Sequence, residues 1–159
     1  MWANFFVAAA GASAALAGLA IVAISVNVSR ILEFPHLPAR AAATVSRFIL
    51  SLVCSMAALI PQPVHGLGAE VAVFALAGWF FEIKSNRRAI RAHAELGRPK
   101  FESMLESTLG EVQILPFVVG AVLLLTGSDS GFYCMAAGVV AILIFATLNV
   151  WVLLVEILR

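Results

Sequence analysis

From residue 3 to residue 28 the chain carries no charged side chain. That stretch exceeds the roughly 20 apolar residues a helix needs to cross the hydrocarbon core of a bilayer. Four more apolar runs follow, at about 41–60, 67–83, 112–126 and 132–158. Hydrophobic residues make up 62% of the 159 and charged residues 12%, where soluble domains run near half and a quarter. Water leaves no way to hide that much apolar surface in a chain this short; lipid does. The expected fold is therefore all-α: a polytopic membrane helix bundle of about five transmembrane helices forming one domain over residues 1–159. The opening run has no basic n-region and is too long for a signal-peptide core, so it is read as a retained helix over about 3–29.

The connections follow from local chemistry. Pro35 and Pro38 make residues 31–38 an elbow lying along the interface. Pro61 and Pro63 end the second run. The third is expected to continue as helix to residue 96, where Gly97 suits a C-terminal cap and Pro99 blocks extension. Phe101, Met104, Leu105, Leu109 and Val112 recur at helical spacing, with Glu102, Ser103 and Glu106 on the other side. This predicts an amphipathic stretch on the membrane or against a partner helix. The loop 84–111 thus becomes a cytoplasmic helical hairpin. The fourth run is short and interrupted by Pro116, and residues 127–131 form a turn.

Orientation comes from the positive-inside rule. With loops assigned to alternate sides, all ten basic residues fall on one side: Arg30, Arg40 and Arg47, then Lys84, Arg87, Arg88, Arg91, Arg98 and Lys100, then Arg159. The amino terminus is thereby placed outside and the carboxyl terminus in the cytoplasm. Arg47 is expected to snorkel toward headgroups.

Several residues are candidates for function. Gly11, Gly18 and Ser25 are seven apart and flanked by Ala14 and Ala15. They make one face of small residues on the first helix, which permits close approach of another backbone. That approach takes place within one chain or between subunits. Ionisable and polar groups near membrane depth are costly unless paired or hydrated. Asn27, Glu70, Glu82, Glu111, Asn149 and Glu156 are therefore candidates to line an ion path. For Glu82, Glu111 and Glu156 the plainer reading is pairing with arginines, and Glu82 lies close to Lys84. Glu70 and Glu82, twelve apart, differ by about 120° around a helix, so one straight pore does not easily use both. Lys84, Arg87, Arg88, Arg91, Arg98 and Lys100 are topology determinants that also suit anionic lipid headgroups.

Other chemistry finds no footing. Cys54 and Cys134 lie in apolar runs with no Cys-x-x-Cys pattern, and His36, His65 and His93 have no second ligand at metal spacing. No nucleophile-base order or phosphate loop stands out, so no metal, cofactor, nucleic acid or catalytic site is expected.

The opening segment, Phe5-Phe6-Val7-Ala8-Ala9-Ala10-Gly11 through Gly18-Leu19-Ala20-Ile21-Val22-Ala23-Ile24-Ser25-Val26-Asn27 and then Arg30-Ile31-Leu32, resembles a family of small uncharacterised bacterial integral inner-membrane proteins. The resemblance implies a bacterial inner membrane and carries no activity with it. Residues 13–23 are also similar, much more weakly, to the pore helix of Orai calcium channels. The acidic filter residue of that helix has no counterpart here, where Ser25-Val26-Asn27 follow, and the helix runs in the opposite direction.

Two functional readings follow. The first is a non-enzymatic membrane protein assembling through helix packing, as a homo-oligomer or an accessory subunit of a larger membrane complex, with membrane lipids as its other partners. The alternative is a homo-oligomeric cation channel or transporter using Glu70 or an inner polar ring of Asn27, Glu82 and Glu111.

Overall fold

The computed structural model describes residues 2–34, 37–95 and 100–158, the side chains of 88–109, 153, 154 and 156–158 excepted. The described residues are about 90% helix, in six segments: α1 (Ala3–Val26), α2 (Val28–Glu33), α3 (Leu37–Ala57), α4 (Val64–Glu95), α5 (Lys100–Leu125) and α6 (Ser130–Leu158). Among the described residues α1, α3, α4 and α6 each contain a stretch long and apolar enough to cross a membrane, and α5 has a shorter apolar portion, Gly110–Leu125.

Several boundaries differ from the sequence expectation by a few residues, three of them for a clear local reason. The first helix does not run unbroken to residue 29. Asn27 leaves helical geometry at φ −105°, ψ 15°, and its side-chain Nδ2 donates to the Ala23 carbonyl at 2.9 Å. That carbonyl is the one the Asn27 backbone N–H would otherwise take, so the side chain replaces a rung of the helix ladder. The third helix starts at Leu37 rather than about residue 41. Pro38 falls in its first turn, where a missing N–H costs nothing and the fixed φ suits a helix. The stretch 101–110, expected to lead into the fourth run, is already part of α5, continuous in backbone with the apolar portion. Pro116 sits inside α5 without ending it.

α3 stands at the centre, packed against α1, α4 and α6, and α4–α5 and α5–α6 complete a ring that closes through α6 onto α1. Half of the apolar span of α3 is buried, against 22% for α1 and for α4. The core is filled by Phe6, Phe48, Val71, Phe117, Leu124, Met135 and Ile142, all fully buried. Where α5 and α6 meet, glycine allows backbone contact: a Cβ on Gly131 would stand 2.6 Å from the Gly120 carbonyl, and one on Gly138 2.6 Å from the Phe117 ring. The turn between them is closed by Gly127 at φ +81°. Ser128 N–H donates to Leu123 O and Gly127 N–H to Leu124 O, both at 2.9 Å. This is the paired cap that a left-handed glycine permits. At the same end Trp2 stacks on Phe132 (6.1 Å, 19°) and meets Tyr133 edge-on (4.6 Å), tying the start of α1 to the start of α6.

Candidate functional site

α3 carries a polar stripe. Arg40, Thr44, Arg47, Ser51 and Ser55 follow one another at spacings of three and four, which keeps them on one helix face. In an apolar helix such a face turns toward the bundle interior rather than lipid. Arg47 does so: it is 6% exposed, and Glu82 of α4 is fully enclosed. The guanidinium holds the carboxylate with both arms, Nη2 on Oε1 and Nε on Oε2, the second at 3.3 Å. Arg47 therefore does not reach outward as expected but is buried against a matched carboxylate. Glu82 is paired with this arginine of a neighbouring helix and not with Lys84, whose side chain is exposed. The third wall is Gly110 of α5. A Cβ there would collide with Glu82 Oε1 and Arg47 Nη2, so the glycine lets the α5 backbone lie directly on the ion pair.

A second set of bonds joins α3 to α6. Arg40 Nη2 donates to Asn149 Oδ1 at 3.1 Å, and Asn149 Nδ2 donates to Thr44 Oγ1 at 3.0 Å. Ser85 Oγ donates to the Ala39 carbonyl at 2.7 Å, holding α4 to the start of α3. Deeper in the bundle, Ser13 of α1 and Ser51 of α3 share a buried hydrogen bond of 2.8 Å. At the opposite end, Gln62 Nε2 donates to Glu70 Oε2 at 2.9 Å, which accounts for a carboxylate with no basic residue on its side. His65 Nδ1 lies 3.3 Å from the Leu124 carbonyl. These bonds fasten helices to one another at both ends of the bundle, and the buried charges Arg47 and Glu82 match each other.

The small-residue face of α1 behaves differently. The buried stripe of this helix is Phe6, Ala9, Ser13, Ala17 and Ala20. At about 100° per residue, Gly11, Ala14, Ala15, Gly18 and Ser25 point roughly opposite to it, and all five are exposed. A Cβ added at Gly11 or Gly18 would meet nothing within 4 Å. Among the described residues the face is thus not used for packing within the chain.

Of the remaining candidates, Asn27 spends its side-chain donor on its own helix, and Glu111 is half-buried. Glu82 is bonded to Arg47, and Asn149 to Arg40 and Thr44. Lys84 and Arg87 are exposed; the side chains of Arg88, Arg91, Lys100 and Glu156, and all of Arg98, lie outside the described residues. Among the described residues no three His, Cys, Asp or Glu side chains are placed to hold a metal ion. The sequence reading passed over Ser13, Arg40, Thr44 and Gly110 as interhelical contacts. The helical period of the α3 stripe was the signal that could have found two of them. No family model matches the chain, and neither a curated protein nor a solved structure matches it.

Proposed function

We propose that the chain is a non-enzymatic multi-pass membrane protein that assembles through helix packing, with α1 as the assembling helix, either as a homo-oligomer or as an accessory subunit of a larger complex. The observation that carries this reading is the open small-residue face. Gly11 and Gly18 have no neighbour within 4 Å of a would-be Cβ, whereas Gly110, Gly131 and Gly138 are each filled by contacts inside the chain. In lipid, helices associate through close van der Waals packing at small residues, and a bare face of this kind on a helix otherwise flanked by exposed Val7, Leu19 and Val22 offers a second backbone a place to seat. On the same reading the membrane is a bacterial inner membrane. α5 is a fifth crossing, the extension of α4 and α5 past residue 84 is a cytoplasmic hairpin, and the termini lie outside (amino) and inside (carboxyl), as the basic residues require. The cation-path alternative has less support, since Arg47 neutralises Glu82 and Asn149 is committed to Arg40 and Thr44.

The test is mass determination in a mild native detergent. The wild-type chain should run as an oligomer or with heterologous subunits, and Gly18→Leu should fall out of that assembly while its helical content is unchanged. A wild-type chain that is a lone monomer at every concentration would overturn the proposal.

A further inference from the structure

The face of α4 opposite Glu82 has a character of its own. Counting about 100° per residue, Ala69, Val73, Leu76, Phe80, Lys84 and Arg87 lie in one stripe directed away from the buried carboxylate. All six are exposed, Phe80 the most among the large apolar ones at 70%. The stripe is apolar up to Phe80 and cationic beyond it. No acidic side chain among the described residues lies on it, and among them neither Lys84 nor Arg87 takes part in an ion pair. Glu82, on the same helix, faces the bundle interior and is held by Arg47. From Val73 to Lys84 the helix rises about 16 Å, close to the half-thickness of a hydrocarbon core of about 30 Å. An acyl chain of one leaflet therefore ends where the positive charges begin.

We propose that this stripe seats an anionic phospholipid. Its phosphate rests against Lys84 and Arg87, and an acyl chain lies along Phe80, Leu76 and Val73. Charge complementarity selects the headgroup: a guanidinium and an ammonium one turn apart present donors to a phosphate, and among the described residues no carboxylate on the stripe competes. The match in length selects a lipid over a free anion. This site is independent of the α1 face, being on a different helix.

The experiment is native mass spectrometry of the purified chain titrated with phosphatidylglycerol, and separately with phosphatidylcholine. Phosphatidylglycerol adducts should persist at concentrations where phosphatidylcholine adducts do not. The double variant Lys84→Gln/Arg87→Gln should weaken phosphatidylglycerol binding about twenty-five-fold, the product of two contributions of about five-fold each. Both side chains are exposed, so circular dichroism and elution volume should not change. Arg30→Gln, an exposed charge on α2, should leave binding as it is, and Phe80→Ala should weaken it by shortening the chain's support. Equal retention of the two lipids would overturn the proposal. So would an Arg30→Gln loss as large as that of the double variant, which would mean diffuse attraction to net charge. Displacement of the lipid by inorganic phosphate at equal concentration would overturn it too, as the mark of a free-anion site.

Discussion

Arg47 and Glu82 are 35 positions apart, and their fork-to-fork contact is the strongest electrostatic commitment in the described bundle. Two charges withdrawn from water are tolerated only because each satisfies the other. Removing one partner strands the other, so Arg47→Ala and Glu82→Ala should each cost roughly 3–5 kcal/mol. The double variant Arg47→Met/Glu82→Leu, which replaces the pair by apolar groups, should recover most of that loss. Thermal unfolding in detergent followed by circular dichroism checks the order; a double variant as weak as the singles would show that the pair is not acting as a unit. Two glycines give a second comparison. Gly110→Ala drives a methyl into the ion pair and should cost about 1–3 kcal/mol, the usual range for overpacking. Gly18→Ala, with open space around it, should leave the unfolding midpoint of the isolated chain where it is. Sequence alone marked Arg47 as anomalous, a charge at the edge of an apolar run, but supplied only the headgroups as its destination. A partner on another helix is a fact of tertiary packing that spacing along one chain does not reveal. The open side of Gly11 and Gly18 is likewise invisible in sequence: their seven-residue spacing says that they share a face, and only the packed bundle says that the face is vacant.

At the level of helices, what was legible was apolar length, since a run of about 20 such residues has few alternatives to a helix in lipid. The ends were less legible, because they are decided by single bonds. Asn27 breaks the first helix by taking over the Ala23 carbonyl with its side chain; Pro38 fits a first turn instead of preventing one; residues 101–110 join α5 because nothing between them and Val112 interrupts the ladder. α1 is the least embedded arm of the bundle, held to α3 through Ser13–Ser51 and to α6 through the aromatic cluster around Trp2. Aromatic pairs of this kind contribute about 0.5–1.5 kcal/mol each beyond their area. Trp2→Ala should therefore loosen the first turns of α1 without disturbing the α4–α5 hairpin. Hydrogen exchange would show this as faster exchange confined to the beginnings of α1 and α6. Uniform acceleration across all helices would mean that the cluster supports the whole bundle rather than one arm.

For the molecule as a whole the decisive question, on the proposed topology, is whether and how α5 crosses. Its apolar portion, Gly110–Leu125, rises about 24 Å, short of a hydrocarbon core near 30 Å, and Pro116 removes one internal hydrogen bond. The deficit falls at the end where Gln113 is buried and Gly110 lies on the Arg47–Glu82 pair. There the polar groups face α3 and α4 instead of lipid. α5 should therefore depend on its neighbours to span, whereas α4, whose apolar 18-residue stretch has mean hydropathy 1.5, should span by itself. Single cysteines test this in a chain whose Cys54 and Cys134 have been changed to Ala. In intact cells His65→Cys and Asp129→Cys should both react with a membrane-impermeant maleimide, and Lys84→Cys only after permeabilisation. When Gly110→Leu is added, labelling at position 129 should fall in a fraction of molecules, because an α5 that fails to cross leaves the α5–α6 turn inside. Labelling at position 65 should hold. Equal labelling at 129 with and without Gly110→Leu would mean that α5 inserts unaided. Protection of 129 in the parent chain would mean that α5 does not cross at all, which would reverse α6 and bring the carboxyl terminus to the outer side.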